Sequence, residues 1–513
     1  MLHSIHSTLA VALLTGLAAA QDPTPAPAEF TLKPVDTLYQ GGAPFAYAPG
    51  STTVPVAQSP RFAIYGPGGK DFNKALNNLE MAYECFVNTL GWKSSGVSTR
   101  TNIPGYFKTN FYQVQNFTKA SVAGQQYTDS QNGRGYVGIG TRWVEDARVS
   151  IHEYGHVLHY HERTWTNTDS RPWWESLASF VADYALNGEY CAPARSAYNI
   201  TSSTTNIDFT SLISNSFLTI VDSQPSNPNI NLYKAWPFFT YLTNNPDRFP
   251  QLGRDTVRSL FRQWRTPETP LHTLQTVAGP SLTVQTIVAS YWARVAYADL
   301  WHEPAAIAFN RIQRSRTRGL DYANLDSTGT DTWRVKPARA PRYMGASFVP
   351  LSGGDGPVAV KVSAAAAFEA RIAVRARNYG SVRYVYVRDG QATVEVAATD
   401  EVMLVVVNAP AQLIQYNPNA ITGSGADAGL DFSVQVTGAV VGDGAAPVGA
   451  TGVRVVEANV NLAVATAGEE EVGVMSAETV EIFEDEEEME VEDELAHLEC
   501  GGKVGGDDEE VVA

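Results

Sequence analysis

The feature that most constrains this chain is an H-E-x-x-H run formed by His152, Glu153 and His156. Side chains four residues apart lie on the same face of a helix, so both imidazoles can bind one metal ion beside Glu153. Four of the nine histidines fall in the ten residues from His152 to His161, which weakens the alternative of an amphipathic helix with surface histidines. The pattern therefore predicts a metal site on a helix.

A third metal ligand is expected from Glu175, which follows His156 after eighteen intervening residues. A catalytic zinc ion takes three protein ligands and leaves the fourth position for water or substrate. Glu175 opens an apolar stretch at residues 177–181, which predicts a second helix that returns to the first. Glu162 is a second, weaker candidate for the third ligand.

These residues resemble the gluzincin branch of the zincin metallopeptidases, in which a Glu on the following helix completes the zinc site. The spacing is close to that of the membrane-alanyl-type aminopeptidases, but residues 135–140 lack the Met-Glu-Asn of their amine-binding strand. The metzincin pattern is incomplete, because His159 and Glu162 stand where it has Gly and then His or Asp. The chain is also similar to secreted fungal and bacterial proteins with an uncharacterised domain that contains the same H-E-x-G-H run.

The resemblance implies that His152, His156 and Glu175 bind Zn²⁺ and that Glu153 is the general base that activates water. The expected function is that of a secreted zinc metallopeptidase that hydrolyses peptide bonds, with a protein or peptide as its substrate. Two alternatives stay open. One is a zinc hydrolase that acts on a non-peptide bond, and the other is a non-enzymatic protein that binds carbohydrate or protein and keeps a vestigial zincin site.

The tetrahedral oxyanion of such a reaction needs a hydrogen-bond donor besides the metal. In gluzincins this donor is often a Tyr or His of a later helix, so the resemblance points to the aromatic segment 232–242. We expect Tyr233 to be the catalytic donor, with Tyr241 and His272 as alternatives. Aromatic packing in a core explains the two tyrosines equally well.

The first twenty residues predict an exported protein. An apolar run at residues 9–17 ends in three alanines, which is typical of a cleaved secretory signal. No later stretch reaches the ~18 apolar residues of a membrane span, so an extracellular protein without such a span is expected. N-glycosylation sequons at Asn116 and Asn199 agree with export. Cys85 and Cys191 could pair in an oxidising compartment or remain two buried thiols.

The sequence predicts an α+β protein. Residues 21–55 form a Pro/Ala-rich arm or linker, and residues 56–326 form a zincin-like catalytic domain with a mixed strand and helix upper part and a helical lower part. Short alternating runs separated by turn residues predict an antiparallel β-sandwich over residues 327–441. Residues 442–513 are expected to be a linker and a disordered acidic tail.

The acidity of the chain belongs to this tail. From residue 469 onward there are nineteen Asp and Glu and one Lys, which contribute −18 to the net charge of −17. The rest of the chain is therefore near neutral, at about +1. Dense like charges that bury little apolar surface predict disorder. The near-neutral remainder shows no basic patch of the kind that binds nucleic acid.

Overall fold

The computed structural model describes residues 27–442, apart from several short gaps. These gaps are residues 36–37, 39–45, 48–52, 100–104, 118–121, 130, 164–171, 224–230, 266, 315–319, 321 and 378. The signal peptide expected at residues 1–20 and the acidic tail expected after residue 442 lie outside the described residues. No helix of the described part is both long and apolar enough to cross a membrane.

The amino-terminal part is built on a mixed six-stranded sheet. Its strands are β1 Ala46–Tyr47, β2 Ala57–Gln58, β3 Phe62–Tyr65, β4 Thr109–Asn116, β5 Gly124–Asp129 and β6 Arg134–Gly140. The order is β2-β3-β4-β6-β5, and β1 pairs with β4. Strands β3, β4 and β6 run parallel, whereas β5 lies antiparallel at one edge. The sequence predicts strands at residues 61–65, 106–117 and 135–140; β3 and β4 lie within the first two of these ranges, and β6 covers the third. It predicts no strand at β5, whose Gln, Tyr and Thr give no clear apolar alternation.

Apolar residues at alternating steps of four and three between residues 72 and 90 predict a helix with an apolar stripe on one face, and the structure confirms it. Helix α1 spans Phe72–Tyr83 and continues as a π-helical turn over Glu84–Thr89. The Asp71 side chain accepts a hydrogen bond from the backbone N–H of Lys74 and so caps the first turn. The residues of the stripe are buried, and they are Phe72, Leu76, Leu79, Tyr83, Phe86 and Leu90.

Helices follow the sheet, as the sequence predicts for residues 183–325. They are α2 Ala147–Arg163, α3 Trp174–Asn187, α4 Ala192–Ala197, α5 Phe209–Ser214, α6 Asn231–Lys234, α7 Trp236–Asn244, α8 Thr256–Gln263, α9 Pro270–Ala278, α10 Val284–Val295 and α11 Glu303–Arg314. Their apolar faces share one buried core with α1 and the mixed sheet. The protein is therefore an α+β protein.

A disulfide ties the early helix to the segment after α3. Cys85, in the π-helical turn, is bonded to Cys191, and both are fully buried. The two positions are 106 residues apart, so the bond removes the entropy of a long loop from the unfolded chain. In the chain-entropy model this is worth about 4 to 5 kcal/mol. Of the two possibilities that the sequence left open, the pair is the one present.

Two antiparallel five-stranded sheets occupy residues 325–441. Their strands are β7 Leu325–Gly329, β8 Thr332–Val335, β9 Ala346–Ser352, β10 Gly356–Ala364, β11 Glu369–Arg375, β12 Val382–Tyr386, β13 Gln391–Val396, β14 Glu401–Val407, β15 Phe432–Thr437 and β16 Val440–Val441. The orders are β13-β10-β15-β8-β7 and β12-β11-β14-β9-β16. Val360 of β10 and Ile372 of β11 lie in one apolar core between the sheets. The predicted antiparallel strands are thus present.

The second of these sheets is buried on both faces. Its outer face, which includes Met403 and Val405 of β14, belongs to the same core as the helices. Trp292 of α10 donates its indole N–H to the carbonyl of Met344 at 2.9 Å and packs edge-on against Phe348 of β9. The antiparallel sheets are therefore fixed to the helical part by a continuous apolar interface.

Candidate metal centre

Helix α2 carries the H-E-x-x-H run and begins at a defined cap. The Asp146 side chain accepts hydrogen bonds from the backbone N–H groups of Arg148 and Val149, at 2.8 and 3.2 Å. These two groups have no partner within the helix, so the cap fixes where the first turn starts. His152 and His156 then follow at helical spacing, with ring centroids 4.9 Å apart.

Gly155 allows α2 and α3 to approach closely. A Cβ atom at this position would lie 3.0 Å from the Cα of Ala178 and 3.1 Å from the Cβ of Val181. Any larger residue would force the two helices apart, because well-packed interiors leave no spare space. The small residue inside the run therefore brings Glu175, near the start of α3, back to the two histidines.

His152, His156 and Glu175 converge on one point. Their potential ligand atoms all lie within 4.8 Å of one another. The Nε2 atoms of His152 and His156 are 3.1 and 3.3 Å from the same oxygen, Oε2 of Glu175. Ligand atoms at 2.0–2.2 Å from a tetrahedral zinc ion are about 3.3 Å from each other, so these separations fit such an ion. Two imidazoles and one carboxylate with an open side are also the donor set of catalytic zinc sites.

Charges at this cluster favour a bound cation. Burial by itself would raise the pKa of the Glu175 carboxyl, but His156 and His152 hold that pKa below its ordinary value. Burial would likewise lower the pKa of His156, whereas Glu175 and Glu153 raise it above its usual range. Two buried carboxylates therefore stabilise positive charge at the His156 imidazole, and a metal ion would supply that charge instead.

Glu153 lies fully buried beside the histidines, against the edge strand β5. A Cβ atom at Gly124, the first residue of β5, would be 2.6 Å from the Oε1 atom of Glu153. Only a glycine therefore leaves room for this carboxylate between α2 and the sheet. The strand that sequence periodicity missed is thus the one that contacts the expected general base.

Trp174, which directly precedes Glu175, holds one of the rings in place. Its indole stacks on the His156 imidazole with ring centroids 4.9 Å apart and an angle of 17° between the planes. It also packs against His159, with ring centroids 4.6 Å apart. His159 and His161 are also buried, and neither is among the clustered ligands.

Glu162 is not a ligand in this arrangement. Its carboxylate accepts two hydrogen bonds from the guanidinium of Arg262, both 2.7 Å long, and one from the backbone N–H of Lys93 at 2.6 Å. The side chain is fully buried in this ion pair. Helical geometry explains the outcome, because residue 162 lies on a different face of α2 from residues 152 and 156.

The three candidate hydrogen-bond donors to the oxyanion lie in different environments. Tyr233 of α6 lines the same cavity as His152. The hydroxyl of Tyr241 donates instead to Asp247 at 2.7 Å and is buried in the helical core. His272 lies on α9, 2.8 Å from the hydroxyl of Thr269. Neither Tyr241 nor His272 belongs to the cavity lining, so Tyr233 is the candidate that the geometry retains.

Of the two polar residues that follow Glu175 at helical spacing on α3, one approaches a candidate metal ligand. Ser179, one turn after Glu175, places its hydroxyl 3.5 Å from Nδ1 of His152. Asp183, one turn further, does not reach the histidines of α2. Its Oδ2 atom lies 2.9 Å from Nε2 of His302, and both side chains are buried. Glu175, Ser179 and Asp183 are four residues apart and therefore lie on one face of α3, which the sequence shows. His302 lies over one hundred residues further along the chain, so the sequence does not indicate its contact with Asp183.

The cluster opens into a cavity of about 1620 Å³. His152 faces this space from α2, and Tyr233 faces it from α6. Another wall comes from the loop before α11 and from α11 itself, including Trp301, His302 and Ile307. A buried donor cluster at the side of a large open cavity is the arrangement expected of a site for an extended ligand.

Residues 68–442 match the family model described as "Family of unknown function (DUF6055)", and the chain belongs to this family. The match covers the helical part and both antiparallel sheets. No curated protein matches the chain significantly. The family description assigns no activity, so a functional proposal has to come from the site itself.

Proposed function

We propose that this member of the DUF6055 family is a secreted zinc-dependent metallopeptidase of the gluzincin type. The observation that carries the proposal is the convergence of His152, His156 and Glu175 on one point, with Glu153 buried next to them. The four residues come from a short helical stretch and from one position on the next helix. The donor set leaves an open side toward a cavity that His152 lines.

The chain's own residues account for the proton transfers of peptide hydrolysis. His152, His156 and Glu175 would hold a zinc ion, which would supply a Lewis acid and lower the pKa of a water molecule toward 7. Glu153 accepts a proton from the attacking water and delivers it to the leaving amine. Its burial between α2 and Gly124 keeps the carboxylate in one position, which is what a proton shuttle requires.

Tyr233 is the proposed donor to the oxyanion. It lines the cavity together with His152, and its phenol can donate one hydrogen bond. Trp236 and Pro237, which follow it at the start of α7, line the same cavity and limit the freedom of the α6–α7 corner. A fixed donor costs no reorganisation when charge develops on the substrate.

Peptide is the favoured substrate because a strand edge lies beside the catalytic group. Strand β5 is the last of its sheet, and among the described residues no strand pairs with its outer edge. Its first residue, Gly124, contacts Glu153. An extended peptide can add to such an edge through backbone hydrogen bonds. A zinc hydrolase acting on another bond uses the same ligands, so substrate screening has to separate the two functions.

Export is supported by three features of the chain. The first twenty residues have the composition of a secretory signal. Cys85 and Cys191 form a disulfide, a bond that persists in oxidising compartments and is rare in the cytosol. Asn199 of the second sequon is exposed after α4, where a glycan could be attached.

Metal analysis and cleavage of a peptide library by wild-type protein and by Glu153→Gln test the proposal. Wild type is expected to bind one zinc ion per chain and to lose cleavage on chelation. Glu153→Gln is expected to keep the zinc and to lose turnover by about 10²-fold or more, because a positioned general base contributes that much.

The matched control is Glu395→Gln, which makes the same change on an exposed position of β13 and should leave cleavage unchanged. Absence of zinc from protein prepared without chelators would contradict the proposal. Bound zinc without cleavage of any peptide would leave the non-peptide hydrolase or the binding protein.

A further inference from the structure

Two large apolar side chains are exposed inside the cavity beside His152. Trp301, in the loop before α11, is 48% exposed, and Ile307 of α11 is 47% exposed. Phe309 and Ala305 on the other face of α11 are fully buried, so the helix has already buried one apolar face in the core. The Trp301 ring lies 5.6 Å from the Arg248 guanidinium, and about half of the Trp301 side chain is still exposed.

The backbone at Trp301 adopts a conformation that is costly for a bulky residue. Its φ angle is 52°, in the left-handed region that large side chains rarely occupy. The Asn244 side chain fixes this loop by donating hydrogen bonds to the carbonyls of Leu300 and Trp301, both at 3.0 Å. Strain of this kind persists only where the surroundings hold it, and it concentrates at binding sites.

The next residue, His302, anchors the loop to the metal-binding helix. Its Nδ1 atom accepts a hydrogen bond from the backbone N–H of Ala305 at 3.2 Å, which caps α11. On the other side of the ring, Nε2 of His302 lies 2.9 Å from Oδ2 of Asp183, and both side chains are buried. Trp301 is therefore next to a residue that caps α11 and contacts α3.

The same helix gives the approximate distance between Trp301 and the metal ligands. Glu175 and Asp183 are eight residues apart on α3, which corresponds to about 12 Å along the axis. An extended peptide covers this length in about four residues. A substrate residue that contacts Trp301 is therefore expected two to four positions from the cleaved bond.

We propose, on the basis of the peptide hydrolysis proposed above, that Trp301 and Ile307 form a specificity subsite for a large apolar side chain of the substrate. The occupant is an aromatic or long aliphatic residue of an extended peptide, two to four positions from the scissile bond. An aliphatic wall at Ile307 favours such a side chain over a sugar ring, because isoleucine offers no hydrogen bond to hydroxyl groups. Burial of both exposed side chains against the ligand drives its binding.

The experiment measures peptide binding separately from cleavage. Fluorescein-labelled peptides that carry either Phe or Ala two, three or four positions from a site cleaved by wild type are titrated into zinc-loaded Glu153→Gln by anisotropy. If wild type cleaves no peptide, Phe and Ala are instead compared at each position in turn of a random-sequence decapeptide. At one of these positions Phe is expected to bind about tenfold tighter than Ala. Trp301→Ala and Ile307→Ser, each made in the same background, are expected to reduce that preference to less than about threefold.

Tyr386→Ala is the matched control, because Tyr386 is a similarly exposed aromatic residue on the edge strand β12. Tyr386→Ala, made in the Glu153→Gln background, should prefer the Phe peptide over the Ala peptide by the same factor as Glu153→Gln alone. Thermal unfolding of every variant checks that the fold is intact, and Ile307→Ser covers the case in which Trp301→Ala does not fold. Equal binding of Phe and Ala peptides at every position would overturn the subsite, as would an undiminished preference in both variants or binding of no peptide. Selective binding without cleavage by wild type would instead count against the hydrolase and keep the subsite.

Discussion

One histidine on helix α2, near the candidate metal centre, has a pKa that is shifted by burial. His161, on the last turn of α2, is buried, and burial lowers its pKa to about 3. The unfolded chain has an ordinary histidine at this position, which takes up a proton near pH 6.5. Between pH 6.5 and pH 3 the unfolded state therefore binds more protons than the folded state, and the free energy of unfolding falls as the pH falls.

His161→Gln is expected to remove this part of the acid sensitivity. Between pH 7 and pH 5 wild type should lose about 2 kcal/mol more of its free energy of unfolding than the variant does. Urea unfolding of the metal-free protein at both pH values measures the difference without interference from zinc release. His272→Gln, at a half-buried position, should show a smaller difference. Parallel loss of stability in wild type and His161→Gln would show that this histidine is not responsible.

At the scale of elements, the crossing of α2 and α3 decides whether the ligands meet. The sequence predicts both helices, because the spacing of the H-E-x-x-H run and the apolar stretch after Glu175 are local signals. It does not predict how closely they pack, since this depends on which residues of α3 face Gly155. Strand β5 was missed for a related reason. Its register depends on its pairing with β6, and its own residues carry no clear period.

Gly155→Ala is expected to separate the two helices by a few tenths of an ångström, because the new Cβ would lie 3.0 Å from the Cα of Ala178. The free energy of unfolding should fall by about 1 to 3 kcal/mol. Zinc affinity should fall by about tenfold or more, since Glu175 moves away from the histidines of α2. Competition with a chromophoric chelator measures the affinity. Gly425→Ala, whose new Cβ would make only ordinary contacts of 3.6 Å or longer, is the control. Unchanged zinc affinity in Gly155→Ala would mean that the site tolerates helix separation.

At the scale of the whole molecule, the antiparallel sheets hold one wall of the cavity. Arg375 of β11 donates hydrogen bonds to Glu401 at 2.8 Å, to Asn310 of α11 at 3.1 Å and to Gln313 of α11. Its guanidinium also lies 4.5 Å from the ring of Tyr297. Helix α11 is therefore fixed by the sheets on one side and by His302 on the other. The sequence left three roles open for this part of the chain, namely binding of carbohydrate, binding of substrate and bracing of the rest of the protein, and these contacts favour the brace.

Arg375→Ala is expected to loosen α11 and leave the Glu401 carboxylate without its partner. The free energy of unfolding should fall by about 3 kcal/mol. KM for peptides should rise by roughly three- to tenfold, because the cavity wall shifts. Zinc affinity should stay within about twofold of wild type, since no ligand lies on α11. Steady-state kinetics and chelator competition measure these quantities. Arg383→Ala, at an exposed position of β12, is the control, and an equal KM for both variants would exclude the brace.

The sequence by itself determined what is local in this protein. The helical spacing of His152, Glu153 and His156, the apolar stretch after Glu175 and the alternating strands after residue 340 each follow from the period of a single element. The α+β class follows from these elements taken together. Only the tertiary structure decided which distant side chains meet. The contacts of Gly124 with Glu153, of Asp183 with His302 and of Arg262 with Glu162 join residues from separate elements. Such contacts depend on packing between elements, and packing has no period along the chain that a single sequence could reveal.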